Sequence, residues 1–283
     1  MNQVLACIDG SPQAPAVCDC AAWASQRLQA PLVLLHVLDQ LLFPVATNLN
    51  GIIGLGNRGH LLEELAALDE KRSKLALEEG RMMLAAASER VIAAGAEVPE
   101  CRQRHGDLLE SLHDLQADIR LLVIGKQGED SGSRLQLIGS QLESVIRTLH
   151  RPILVTPSNF AAPKSLLLAF DGSATARKGV EMIASSPLFR GVAIHLLMVG
   201  ADSRDNQVLL QSAQGELQAA GFEVHAALRA GDVEPILHAY QAEHGIALLV
   251  MGAYGHSRIR QFLVGSTTTN MLRTTTTPLL LLR

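Results

Sequence analysis

The chain has 283 residues, 48% of them apolar and 18% charged, with a formal net charge of −4. That length suits two domains of ordinary size better than one, and the composition excludes bulk disorder, which needs low hydrophobicity and high net charge. The first 157 residues carry 14 basic and 19 acidic side chains and the remainder 10 and 9, so neither part has the basic field that grips nucleic acid.

The apolar run Val4 to Ile8 has no charged segment before it and reads as a strand over 3–8, not as a secretory leader. No apolar run reaches the length of a membrane helix, so a cytoplasmic protein without membrane contact is expected. The strand ends at Asp9-Gly10-Ser11. Val17, Cys20, Ala24 and Leu28 then form one helical stripe. A second strand, 32–37, ends in Leu35-His36-Val37. The glycine-rich stretch from Leu41 to Gly59 reads as a flexible loop, or alternatively as a flap or partner-binding element. A long helical region follows over 60–94, then a strand over 97–103. Asp107 stands where an N-cap belongs, ahead of a helix with Leu108, Leu112 and Leu115 on one face. The fourth strand, 119–124, leads into Gly125-Lys126-Gln127-Gly128, and ten residues later Gly139-Ser140 precede a short helix and a strand over 153–156. A linker containing Pro163 closes the first unit.

The same order then returns. Strands are expected over 165–170, 192–199, 223–229, 246–251 and 279–282, with helices between them. Asp171-Gly172-Ser173 echoes Asp9-Gly10-Ser11, Ile194-His195-Leu196 echoes Leu35-His36-Val37, and Gly231-Asp232-Val233 echoes Gly106-Asp107-Leu108. Leu248 to Gly252 echoes Leu121 to Gly125, Gly265-Ser266 echoes Gly139-Ser140, and Thr277-Pro278-Leu279-Leu280 echoes Arg151-Pro152-Ile153-Leu154. Six matches in one order define a tandem repeat of two whole domains, 1–157 and 163–283. Strand–helix alternation with apolar strands makes each an α/β domain, a parallel sheet with helices on both faces.

Cys7, Cys18, Cys20 and Cys101 form no Cys-x-x-Cys pair and read as small buried or half-buried thiols. The ten histidines are scattered. His36 and His195 read as packed beside the sheet, His113 and His238 as matching helix residues, and no metal site built by side chains is expected.

The chemistry concentrates after the fourth strand of the second domain. Met251-Gly252-Ala253-Tyr254-Gly255 is followed by nine residues and then by Gly265, Ser266 and Thr267, which open a helix. Glycines there let phosphate oxygens reach backbone N–H groups. The hydroxyls of Ser266 and Thr267 stand beside the positive end of a helix. No Walker lysine is present, so this is not a P-loop NTPase.

Gly-x2-Gly-x9-Gly-Ser, with the Asp-Gly-Ser turn after the first strand, resembles the ATP-binding signature of nucleotide-binding universal stress proteins, and the resemblance covers nearly the whole chain twice. It implies an open five-stranded Rossmann-like sheet of order 3-2-1-4-5 in each domain. It also implies pairing through the fifth strands, here an intramolecular pseudo-dimer with pseudo-twofold symmetry joining 153–156 to 279–282. Carried over by residue, it places Asp171 and Leu196 near the adenosine, Ala169 in the base pocket, and Met251 and Gly252 near the ribose and first phosphate. Gly255, Gly265, Ser266 and Thr267 would hold the phosphates, with Mg2+ bridging them. The counterparts in the first domain are Asp9, Val37, Gly125, Gly128, Gly139 and Ser140. Its ten-residue spacing and Gln141 in place of Thr267 depart from the signature. The implied function is a stress-response regulator that binds ATP or a related adenine nucleotide, acts on an unidentified protein partner, and turns ATP over slowly at most. A nucleotide-free tandem scaffold and a nucleotide-dependent enzyme of a related α/β fold are the alternatives. Adenylating ATP pyrophosphatases carry Ser-Gly-Gly-x-Asp-Ser after the first strand, which neither domain has. A homodimer of chains stays open.

Overall fold

The computed structural model describes residues 3–38, 55–128, 141–252 and 266–282. Strands form where apolar runs are bounded by turns, and helices where apolar residues recur at helical spacing. In the first half these are β1 (Gln3–Cys7), α1 (Ala14–Leu28), β2 (Leu32–Leu38), α2 (Leu55–Ala93), β3 (Glu100–His105), α3 (Leu108–Leu115), β4 (Ile119–Gly125), α4 (Leu142–Thr148) and β5 (Ile153–Thr156). The second half repeats the order with β6 (Ser165–Ala169), α5 (Ala174–Ser185), β7 (Ala193–Val199), α6 (Arg204–Ala219), β8 (Val224–Arg229), α7 (Val233–His244), β9 (Leu248–Gly252), α8 (Ser266–Thr274) and β10 (Leu279–Leu282). A 3-10 turn over Pro187–Phe189 follows α5.

The ten strands make one sheet in the order β3-β2-β1-β4-β5-β10-β9-β6-β7-β8. Each half therefore has the order 3-2-1-4-5, and the halves meet where β10 pairs antiparallel with β5, Leu280 opposite Leu154. The other described pairs are parallel. The join removes two apolar edges and leaves β3 and β8 outermost, where Glu100, Arg102, Arg104 and Arg229 discourage further pairing.

Successive strand residues point to opposite faces, and each face is covered. Val4 and Ala6 of β1 pack in the core under α1, α2, α5 and α6, while Leu5 packs in the core under α3, α4, α7 and α8. The first core runs through both halves. Trp23 of α1 meets Phe160 with ring centroids 5.7 Å apart. Arg27 donates to the carbonyl of Leu188 at 3.2 Å and also to that of Arg190.

Three expectations shift. The third strand begins at Glu100, not at residue 97, because pairing with β2 starts at Glu100 opposite Val33, and Val98 lies 80% exposed outside the ladder. The expected loop ends early, since α2 already begins at Leu55, and residues 39–54 lie outside the described residues. Cys101 departs from the expected burial, since it lies exposed on edge strand β3, whereas Cys7 is half-buried and Cys18 and Cys20 are buried beneath the sheet, α2 and the 187–189 turn as expected. In α7, Val233 is exposed, and Leu237 and Tyr240 carry the packing. Among the described residues no helix is long and apolar enough to cross a membrane.

Candidate functional site

In a 3-2-1-4-5 sheet the chain leaves the first and fourth strands in opposite directions, which opens a crevice beyond their carboxyl ends. These switch points lie between β1 and β4 and between β6 and β9. In the second half Ala169 ends β6, and Asp171 turns the chain by accepting from the Ser173 N–H at 2.9 Å. Gly172 sits at φ +71°, where a side chain would be strained and a Cβ would lie 3.0 Å from Leu209 Cδ1. Ser173 caps α5 by accepting from the Ala176 N–H at 3.1 Å. Gly252 ends β9 so close to α5 that a Cβ there would lie 3.1 Å from Thr175 Cγ2.

Met251 buries its side chain in the core under α7 and α8, so only its main chain faces the crevice. Ser266 opens α8 and Thr267 is half-buried in its first turn. Gly255 and Gly265, like Gly139 and Ser140 of the first half, lie outside the described residues.

Sheet register corrects one placement. Cys7 pairs with Leu35 and Ala169 pairs with Leu197. The N–H of Ile8 donates to Leu35 O at 2.8 Å, and that of Phe170 to Leu197 O at 2.9 Å. The counterpart of Val37 is therefore Val199, not Leu196. Val37 and Val199 are both half-buried near the carboxyl ends of their strands, whereas Leu196 is wholly buried in mid-strand. The histidine echo slid by three residues along an apolar run. Counting back from the strand ends, Leu38 and Val199, would have found Val199 to within one residue.

Side chains bridge the first crevice. Gln13 Oε1 accepts from the Gln127 N–H at 2.9 Å, and Gln13 Nε2 donates to Gln127 Oε1 at 3.2 Å. A Cβ on Gly125 would lie 3.1 Å from Gln13 Oε1, and one on Gly128 would lie 3.3 Å from Asp9 Oδ2. Asp9 itself accepts from the Ser11 N–H at 3.1 Å. Gln13 and Thr175 occupy equivalent positions, each four residues past the turn aspartate and against the glycine that ends the fourth strand. Lys126 points away, and its ammonium donates to the carbonyls of Arg273 and Thr275 at 2.8 Å each. There it meets the negative end of α8, and burial lowers its pKa. Cys7, the counterpart of Ala169, has its thiol pushed up to about 12 by burial and, less, by Asp9.

His36 is buried behind this crevice with Nδ1 2.8 Å from Ile8 O. His195 stacks between His225 and His244, with ring centroids at 4.9 and 5.0 Å, and its Nδ1 lies 3.3 Å from the Tyr240 hydroxyl. Burial first, then the neighbouring His225 and His244, hold its pKa below the ordinary 6.5. His238 bonds Thr274 Oγ1 at 2.8 Å, and His113 is exposed. Among the described residues no group of three or more His, Cys, Asp or Glu is arranged to hold a metal ion.

Two open 3-2-1-4-5 sheets fused edge to edge, each with an aspartate turn and a glycine facing across its switch point, define a duplicated α/β protein with two crevices of unequal character. Residues 1–157 and 163–283 each match the Universal stress protein family. The chain is 36% identical over 287 residues to a universal stress protein of Synechocystis sp., covering 100% of both. It thus belongs to the universal stress protein family. Its fold is similar to that of a universal stress protein from Archaeoglobus fulgidus (TM-score 0.72, 18% identity, covering 99% of this chain and 97% of that one). It is also similar to that of a putative universal stress protein from Pseudomonas aeruginosa (TM-score 0.62, 16% identity, covering 100% and 93%).

Proposed function

We propose that this chain is an ATP-binding regulatory protein that carries nucleotide in its second domain, while the first domain keeps its own crevice closed. The observation that carries this reading is the contrast between equivalent positions. In the first domain the Gln13 amide takes up the Gln127 N–H, one of the main-chain donors an anion would need. In the second, among the described residues, the methyl group of Thr175 stands in its place against Gly252. Asp171 would bind the ribose, Ala169 and Val199 would line the base, and the main chain at Gly252 and Gly255 would meet the phosphates. Gly265, Ser266 and Thr267, at the positive end of α8, would complete the phosphate cradle. Bound ATP would supply the negative charge, with Mg2+ bridging its phosphates. Among the described residues no nucleophile or general base is placed beside these, and binding would act by stabilising one conformation toward a protein partner and not by turnover.

Isothermal titration with Mg-ATP tests this. One ATP per chain is expected in the parent and none in Gly252→Val, with Gly125→Val unchanged. Two ATP per chain would refute closure of the first domain, and no binding would refute the reading as a whole.

A further inference from the structure

Helix α2 is unusual among the described helices because, from Leu68 to Met82, most of its described side chains are exposed. Ala76, Gly80, Leu84, Ala87 and Val91 face the sheet and α1. N-terminal to Ala76 the described side chains are exposed or half-buried. Leu68, Leu75 and Met82 are 53%, 62% and 67% exposed. They recur every seven residues, so at 100° per residue they form one stripe about 140° from the buried face. One apolar residue in seven makes a narrow seam, thinner than the two in seven of a coiled coil, along which a second helix can lie.

The charges beside the stripe say which helix. On one side stand Lys71 and Glu78, and on the other Arg72 and Glu79. Each side is basic before Leu75 and acidic after it. We propose that this face of α2 binds the same face of a second copy of the chain, antiparallel, about a twofold axis at Leu75. That operation sets Leu75 against itself and Leu68 against Met82 of the second copy. Lys71 then meets Glu78, and Arg72 meets Glu79. A parallel pair would instead set Lys71 against Arg72 and Glu78 against Glu79, like charge on like. Flanking charges of this kind select register and orientation. Glu78 already pairs with Arg81 in its own helix at 3.7 Å, but both are about 70% exposed, so that pair offers little resistance. Three apolar layers bury less than the roughly 1,200 Å² of a stable interface, so the association is weak and depends on concentration. The inference does not rest on the nucleotide reading.

The test is sedimentation equilibrium of the full chain at rising concentration, with exposed-site variants whose folding is not at risk. The parent is expected to dimerise, and Leu75→Glu to weaken dimerisation at least tenfold. The Lys71→Glu/Arg72→Glu variant and the Glu78→Lys/Glu79→Lys variant should each stay monomeric alone and form a heterodimer when mixed. Leu75→Cys in a Cys101→Ser background should form a disulfide between copies under mild oxidation. A parent that is monomeric throughout overturns the proposal, whether the stripe then takes a helix of another protein or nothing. A dimer indifferent to Leu75→Glu, or charge variants that associate equally alone and mixed, overturns it as well.

Discussion

The unequal crevices give a sharp prediction for Thr175→Gln. This change writes the first domain's closing residue into the second, at the position that faces Gly252 in place of Gly125. In the first domain that glutamine makes two hydrogen bonds to Gln127, at 2.9 and 3.2 Å. Only the bond to the main-chain N–H has a counterpart in the second domain, because Tyr254 stands where Gln127 does. At about 0.5–1.5 kcal/mol net for that bond, the obstacle is about 1 kcal/mol, or roughly fivefold in Kd. Titration calorimetry with Mg-ATP should show that loss. The melting temperature without ATP should not fall, because the new amide finds partners near the surface. An ATP affinity within about twofold of the parent would refute the idea that this side chain gates the crevice. The reciprocal change, Gln13→Thr, should remove both bonds to Gln127.

Gly80→Ala should destabilise the protein by about 1–3 kcal/mol through overpacking, because a Cβ there would lie 2.7 Å from His36 Cδ2 and crowd Gln103. An exposed helical glycine would instead gain about 1 kcal/mol from alanine, so a raised melting temperature in calorimetry rejects the packing. Lys126→Met should cost about 1 kcal/mol, allowing for the partial exposure of the ammonium, and should speed amide exchange in the last turn of α8; unchanged exchange would contradict its capping role. His195 has a folded pKa below its ordinary 6.5, so its contribution is intact above that value and is lost as pH falls through the lower folded value. Melting temperatures at pH 7.5 and 5.5 should therefore fall further apart in the parent than in His195→Gln, and equal differences would argue against it.

Turn chemistry was legible in the sequence and strand phase was not. Asp9 and Asp171 fix the first-strand exits because an aspartate accepting from the N–H two residues on needs a short side chain at one position. Gly125 and Gly252, and Pro152 and Pro278, fix the fourth and fifth strands, and sheet register confirms those equivalences. The run Ala193–Val199 offers no such marker. A strand buried on both faces carries no alternation, so any residue matches any other and the histidine echo settled three residues early. Edge strand β3 failed for the opposite reason, since polar side chains and partial burial leave its start unmarked. Gln13 could not have been foreseen. Its role comes from meeting Gln127, 114 residues away in sequence, and a glutamine beside a proline-started helix carries no such signal.

Helix α8 ties the two crevices together. Its first residue, Ser266, follows the proposed phosphate loop of the second domain. The carbonyls that end it, at Arg273 and Thr275, are held by Lys126, which lies between Gly125 and Gln127 of the first domain. Next to Lys126, the N–H of Gln127 is the group that Gln13 occupies. Charge arriving at one end of a helix is felt along its dipole only within the terminal turns, so field alone does not connect the sites across nine residues. A shift of α8 as one body would, since Lys126 holds its carboxyl end to the first domain. ATP binding should then alter amide exchange at Gln127 in the parent and not in Lys126→Met, and a response of equal size in both would show that the two crevices act alone.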